Sequence, residues 1–149
     1  MSRNVLLLPG DGIGPEITAA VLKIVDAALS RTDVALNWIP VAAGLSALDE
    51  GSDLIPQRTM DEIARCGVAL KGPCTTPVGE GFTSINVKLR KAFNLYAAVR
   101  PVRSMPGVET RYQDVDLIII RENTEGLYSG VENEVTPGVV MSMKVASKT

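Results

Sequence analysis

The junction "NVLLLPGDGIGPEI", residues 4–17, constrains this chain more than any other stretch. A short apolar run is broken by Pro and Gly, and a helix opening follows at once. Asn4–Leu8 is too short for a buried helix and has no polar alternation. It therefore predicts a strand covered on both faces, as in a parallel sheet. Pro15 suits the first turn of a helix, where its missing N–H has no partner to lose. The helix is expected to run to about Ser30, with Ile17, Ala20, Val21, Ile24 and Ala28 as its apolar face. Val34–Ile39 reads as a second strand, with Val34, Leu36 and Trp38 alternating. "DLIPQRTMDEIARCG" reads as a loop and short helix, and "CGVALKG" as a third buried strand. Strand, helix, strand, helix, strand predicts an α/β layer with right-handed crossovers.

The glycines of "PGDGIGPE" invite a comparison with dinucleotide-binding turns. The fingerprint there is G-x-G-x-x-G followed by an acidic residue about twenty positions on. Here Gly10, Gly12 and Gly14 alternate, Pro15 occupies the place of the last glycine, and Asp33 precedes a strand instead of ending one. The pattern fits a strand-to-helix turn with positive φ better. The alternative is a turn that also lines a ligand cleft at the strand's carboxyl end, as open α/β sheets tend to do.

The second half is organised differently. "VGEGFTS" is a Gly-rich loop. "INVKLRKAF" reads as a helix with Ile85, Leu89, Ala92 and Phe93 on one side. "LYAAVRP" is extended, because the residue before Pro101 is pushed out of the helical region. "DLIIIR" predicts another buried strand. "GVENEVTPGVVMSMKV" has two β-rich runs around Pro-Gly, a hairpin or projecting arm. The closing "ASKT" resembles a helix start, which suggests an element boundary.

Several classes of chemistry drop out on composition. The chain has no histidine, which removes Ser-His-Asp and Cys-His catalysis and every metal site that needs imidazole. A net charge of −2 gives no general attraction to nucleic acid or acidic membranes. The only adjacent basic pair, Arg90–Lys91, sits in the expected helix. Cys66 and Cys74 do not form a disulfide framework, and Cys66 is expected as a buried thiol. Reduced thiols without a signal peptide suggest a bacterial cytoplasm or, in a eukaryote, the mitochondrial matrix. With 149 residues, of which 46% are apolar, the chain can build about one domain.

The candidate chemistry gathers around "GEGFTSINVKLRKAF". Asn86 and Arg90 lie one helical turn apart on a single face. Ser84 stands at the helix start, where a hydroxyl and free N–H groups suit an anion. Arg100 and Arg121 end ordered segments. Three guanidiniums meeting in one cleft fit a substrate with several carboxylates, because arginine donates paired, fork-like hydrogen bonds. The alternative for each is a solvated or ion-paired arginine. Tyr128 follows in "RENTEGLYSG". A phenol serves as a general acid where cations lower its pKa from about 10; otherwise this is an amphipathic tyrosine capping a core.

Taken together, "LLPGDGIGPEI", "KGPCTTPVGEGFTSINVKLRK", "LYAAVRPV" and "VDLIIIRENTEGLYSG" resemble the decarboxylating β-hydroxyacid dehydrogenases. That family has isocitrate, isopropylmalate, homoisocitrate and tartrate members. Ser84-Ile85-Asn86 and Arg90 make the likeness strongest to the NAD-dependent isocitrate members. The resemblance implies an α/β, isopropylmalate/isocitrate dehydrogenase-like fold. Residues 1–100 would open its large domain, and residues 101–149 its small domain and a partner-clasping arm, as in a homodimer. It further implies that Ser84, Asn86, Arg90, Arg100 and Arg121 bind the substrate carboxylates, and that Tyr128 protonates the enol carbon after CO₂ leaves. Thr75, Thr76, Ile13 and Asn86 would line the NAD site, with Lys71 nearby and NADP an alternative cofactor. The family uses Mg²⁺ or Mn²⁺ to hold the enolate.

Family members are more than twice this length. Their metal-binding aspartates, catalytic lysine and adenosine pocket have no counterpart in these residues. The 149-residue chain by itself is therefore expected not to turn over isocitrate. A related β-hydroxyacid substrate and a non-catalytic regulatory subunit are the competing expectations.

Overall fold

A computed structural model describes residues 2–49, 53–75 and 84–147. The element order begins with β1 (Ser2–Leu8), α1 (Gly14–Leu29), β2 (Ala35–Pro40), α2 (Leu45–Asp49), α3 (Gln57–Cys66) and β3 (Ala69–Lys71). It continues with α4 (Ile85–Ala92), β4 (Ala97–Arg103), β5 (Asp116–Glu122), β6 (Gly126–Thr136) and β7 (Val139–Val145). The chain divides into two compact units, Met1–Ile85 and Asn86–Thr149.

The first unit is built on a parallel sheet of order β2-β1-β3. The central strand carries the apolar run, and Val5, Leu6, Leu7 and Leu8 are all buried. Two covered faces explain why that run shows no polar alternation. Leu6, Leu8 and Ala43 form the core, with Ile39, Val41, Ile63 and Cys66 packed against it. Burying a Leu side chain stabilises by about 1.5–3 kcal/mol, so these few residues dominate the unit's cohesion. Gly10 follows β1 with φ +80°, and a Cβ there would stand 1.7 Å from the Pro73 carbonyl oxygen. Only glycine allows the turn after β1 to lie against the loop after β3.

Helix α1 begins at Gly14, one residue before Pro15, but its packing differs from expectation. Gly14 and Thr18 are its buried residues, and Val21, Leu22, Val25 and Leu29 are half-buried. Ile17 and Ile24 are 41% and 68% exposed. The small residues set the face: the Thr18 hydroxyl donates to the Pro9 carbonyl at 3.3 Å, drawing that side toward the turn. α3 ends at Gly67, which adopts a left-handed C-cap and donates its N–H to the Ile63 carbonyl at 2.9 Å. β3 is less covered than predicted, with Ala69 exposed and Leu70 and Lys71 half-buried. Cys66 is half-buried and free, and its thiol lies 3.2 Å from the Asn4 carbonyl.

The second unit consists mainly of two antiparallel ribbons, β4-β5 and β6-β7. The expected hairpin is present, turning at Pro137-Gly138. The strand within "DLIIIR" is present as well, but it is not buried: Ile118 and Ile120 are 68% and 69% exposed. Nothing in the ribbon covers either face, so its apolar content alone gives no burial. In α4, Ile85 and Leu89 are buried while Ala92 is exposed and Phe93 lies one residue past the helix. Among the described residues no helix is long and apolar enough to cross a membrane.

Candidate active site

In the first unit, the carboxyl ends of all three parallel strands converge on the turn Pro9–Ile13. Open α/β sheets bind ligands at such ends. Asp11, in the middle of that turn, is buried. Its Oδ2 accepts the Leu45 backbone N–H at 2.9 Å, and its Oδ1 accepts the Thr75 backbone N–H at 2.6 Å. Its own backbone N–H donates to the Pro73 carbonyl at 3.0 Å. One carboxylate thus joins the loops that follow β1, β2 and β3. Burial pushes its pKa up. The Thr75 hydroxyl, the Leu45 and Thr75 N–H groups and the nearby Lys71 charge outweigh that, and hold it below the usual carboxylate value. Sequence reasoning missed Asp11 as a site residue, although it lies within "PGDGIGPE". The available signal was an acid flanked by glycines just past a strand end.

Thr75 and Ile13, both expected at the cofactor, are exposed on these loops. Gly12 keeps the approach open: a Cβ there would be 3.6 Å from Thr75 Oγ1. Lys71 ends β3 and donates to the Gly72 carbonyl at 2.8 Å. Thr76 lies outside the described residues. Ser84 immediately precedes α4 and is half-buried.

In the second unit, β4 and β5 pair without irregularity. Ala98 stands opposite Arg121 and Arg100 opposite Ile119. Opposed residues share a face and alternate residues return to it. Arg100 and Arg121 are therefore diagonal neighbours on one face, about 7–8 Å apart at the backbone. Arg103 falls on the other face, bound to Asp116 at 2.7 Å. The Arg121 guanidinium also lies 5.1 Å from the centroid of the Tyr128 ring, within cation–π range.

The turn between Arg121 and Tyr128 explains that approach. Glu122 Oε1 accepts the Thr124 N–H at 2.5 Å, the Thr124 hydroxyl at 2.9 Å and the Glu125 N–H at 2.7 Å. Desolvation raises the pKa of this exposed carboxyl, but those donors prevail and lower it. Tyr128 then donates its N–H to the Glu125 carbonyl at 3.1 Å. Glu125 in turn accepts the Ser147 N–H at 2.7 Å and the Ser147 hydroxyl, tying the turn to the end of the β6-β7 hairpin. Asn86, exposed, and Arg90, half-buried, sit four apart on α4.

The structure thus brings Arg121 to Tyr128, sets Arg100 on the same β4-β5 face as Arg121, and joins Thr75 to Asp11. Among the described residues no three His, Cys, Asp or Glu side chains gather to hold a metal ion. The described residues do not fit the family's Mg²⁺ or Mn²⁺.

A sequence profile described as isocitrate/isopropylmalate dehydrogenase matches residues 4–149. The chain belongs to that family. Within it, a relative in Drosophila melanogaster, named a probable mitochondrial NAD isocitrate dehydrogenase subunit alpha, is 50% identical over 99% of this chain. A chloroplastic 3-isopropylmalate dehydrogenase of Solanum tuberosum is 46% identical over 95% of the chain. The chain spans 38% and 39% of those relatives' lengths, respectively. The crystal structure of isocitrate dehydrogenase from Methylococcus capsulatus superposes with a TM-score of 0.82 at 41% identity, over 97% of this chain and 43% of that one. The fold is accordingly the α/β fold of the isocitrate/isopropylmalate dehydrogenases.

Proposed function

We propose that this chain supplies substrate-carboxylate and nicotinamide-side residues to an NAD-dependent oxidative decarboxylation of isocitrate. Arg100 and Arg121, with Arg90, Asn86 and Ser84, bind the carboxylates through charge-assisted, forked hydrogen bonds. Fixing the substrate through several carboxylates presents its C2 hydrogen for hydride transfer to NAD. Loss of CO₂ from the resulting β-keto acid leaves an enol, and Tyr128 delivers a proton to its carbon. Thr75, Thr76, Ile13 and Asn86 line the nicotinamide-ribose side. Mg²⁺ or Mn²⁺ has no donor set among the described residues, and none of these steps runs through it.

The observation that carries this reading is the common face of Arg100 and Arg121, with Arg121 stacked on the Tyr128 ring. Anion-binding forks beside a phenol suit a polycarboxylate that must also be protonated. Solvated arginines on unrelated faces would carry no such meaning. The mitochondrial isocitrate relative supports NAD and, of the two settings expected from the sequence, the mitochondrial one. The β6-β7 hairpin, with Val135, Val139 and Val140 exposed, supports a clasping arm in a homodimer. Residues 1–100 open the large domain of the complete enzyme, and residues 101–149 its small domain.

The potato relative favours a second reading, isopropylmalate as substrate. Steady-state rates of the complete protein with NAD and a panel of isocitrate, isopropylmalate, homoisocitrate and tartrate separate the two. Isocitrate is expected to be turned over best. Preference for any other member of the panel contradicts the proposal.

A further inference from the structure

We infer that Asp11 is a positioning residue for the cofactor side: its carboxylate accepts the Thr75 backbone N–H and so fixes where the Thr75 hydroxyl meets a ribose hydroxyl or carboxamide of the dinucleotide. The inference rests on the assignment of Thr75 to the cofactor.

The geometry is specific. An ionised carboxylate is an acceptor only, and Asp11 Oδ1 accepts the backbone N–H of Thr75 at 2.6 Å. Thr75 is exposed, and the missing side chain at Gly12 leaves space beside its oxygen. Asp11 is itself immobilised: Leu45 N–H holds its second oxygen at 2.9 Å, and Gly44 lies so close that a Cβ there would stand 2.3 Å from Oδ2. The carboxylate cannot turn away without breaking contacts to loops 34 and 64 residues distant in sequence. Asp11 therefore sets where Thr75 stands.

NADH fluorescence titration of the complete protein tests this, on Asp11→Asn, Thr75→Val and the double variant. Asn keeps the shape but brings a competing N–H₂ donor. Each single substitution is expected to weaken NADH binding about tenfold. The double variant is expected to be no weaker than either single, because both remove one interaction. The KM for isocitrate in Asp11→Asn is expected to change less than about twofold. Additive losses, an unchanged NADH affinity, or equal losses for NADH and isocitrate overturn the inference. If Asp11→Asn does not fold, Thr75→Ser against Thr75→Val decides: Ser retaining affinity and Val losing it supports the hydroxyl role, and equal affinities refute it. A wild-type protein that binds NADH with this variant pattern but does not turn over isocitrate sinks the proposed function and leaves the positioning role standing. No NADH binding by wild type sinks the inference itself.

Discussion

Gly44→Ala separates a strained backbone from a broken contact. Gly44 has φ +86°, which costs an L residue about 1–2 kcal/mol. The added methyl would also stand 2.3 Å from Asp11 Oδ2, so the carboxylate has to withdraw. Withdrawal breaks at least the bond from Leu45 N–H at 2.9 Å, and a hydrogen bond to a charged group contributes about 1.5–3 kcal/mol. The combined loss is about 2.5–5 kcal/mol. Gly67 provides the control. It has φ +74°, but a methyl added there would meet nothing within 4 Å, so Gly67→Ala loses only the backbone share of about 1–2 kcal/mol. Urea unfolding of the complete protein, compared at constant m, reads both. Gly44→Ala should be the more destabilising by about 1.5–3 kcal/mol. Equal losses would refute the claim that Asp11 is clamped against Gly44.

Two further results are expected. The Asp11 carboxyl is held below its ordinary value of 3.8, against the opposing push of burial. A depressed carboxyl contributes stability that is present above its unfolded pKa and lost as pH falls through the folded one. Acid titration of stability in Asp11→Asn should therefore lack part of the wild-type decline below about pH 4, and identical acid limbs would contradict this. Arg121→Lys and Arg100→Lys keep charge but lose the fork, and should each raise the isocitrate KM about tenfold. Arg103→Lys, on the opposite face and paired with Asp116, should change it less than about twofold; equal effects at all three sites would show that the common face is irrelevant.

The parts of the fold legible in the sequence were those specified by local physics. β1 was readable because both its faces are covered, so every residue from Val5 to Leu8 is apolar and buried. The β6-β7 hairpin was readable because Pro137-Gly138 forces a turn between two β-rich runs. The packed face of α1 was not, because periodicity ranks large apolar residues and overlooks Gly14 and Thr18, whose small size permits close approach. β5 forms the expected strand without the expected burial, since apolar content does not say what covers it. α2 escaped notice because Leu45–Asp49 is too short to show a helical period.

The candidate site divides in the same way. The shared face of Arg100 and Arg121 depends on strand register, which spacing alone does not give. The approach of Tyr128 to Arg121 depends on the hydrogen bonds of Glu122 within a short turn, a local feature carried by "RENTEG". Asp11 was overlooked because its partners are Leu45 and Thr75, far along the chain. An acid between glycines looks like turn chemistry until the other loops are seen to meet it.

The central claim is that these residues recognise isocitrate. Its most direct test is the ratio of kcat/KM for isocitrate to that for isopropylmalate, measured with NAD on the complete protein and on Ser84→Leu. The wild-type ratio is predicted to exceed about tenfold, and Ser84→Leu to narrow it through loss of affinity for isocitrate alone. A wild-type ratio at or below unity, or a Ser84→Leu protein that loses both substrates equally, would contradict it.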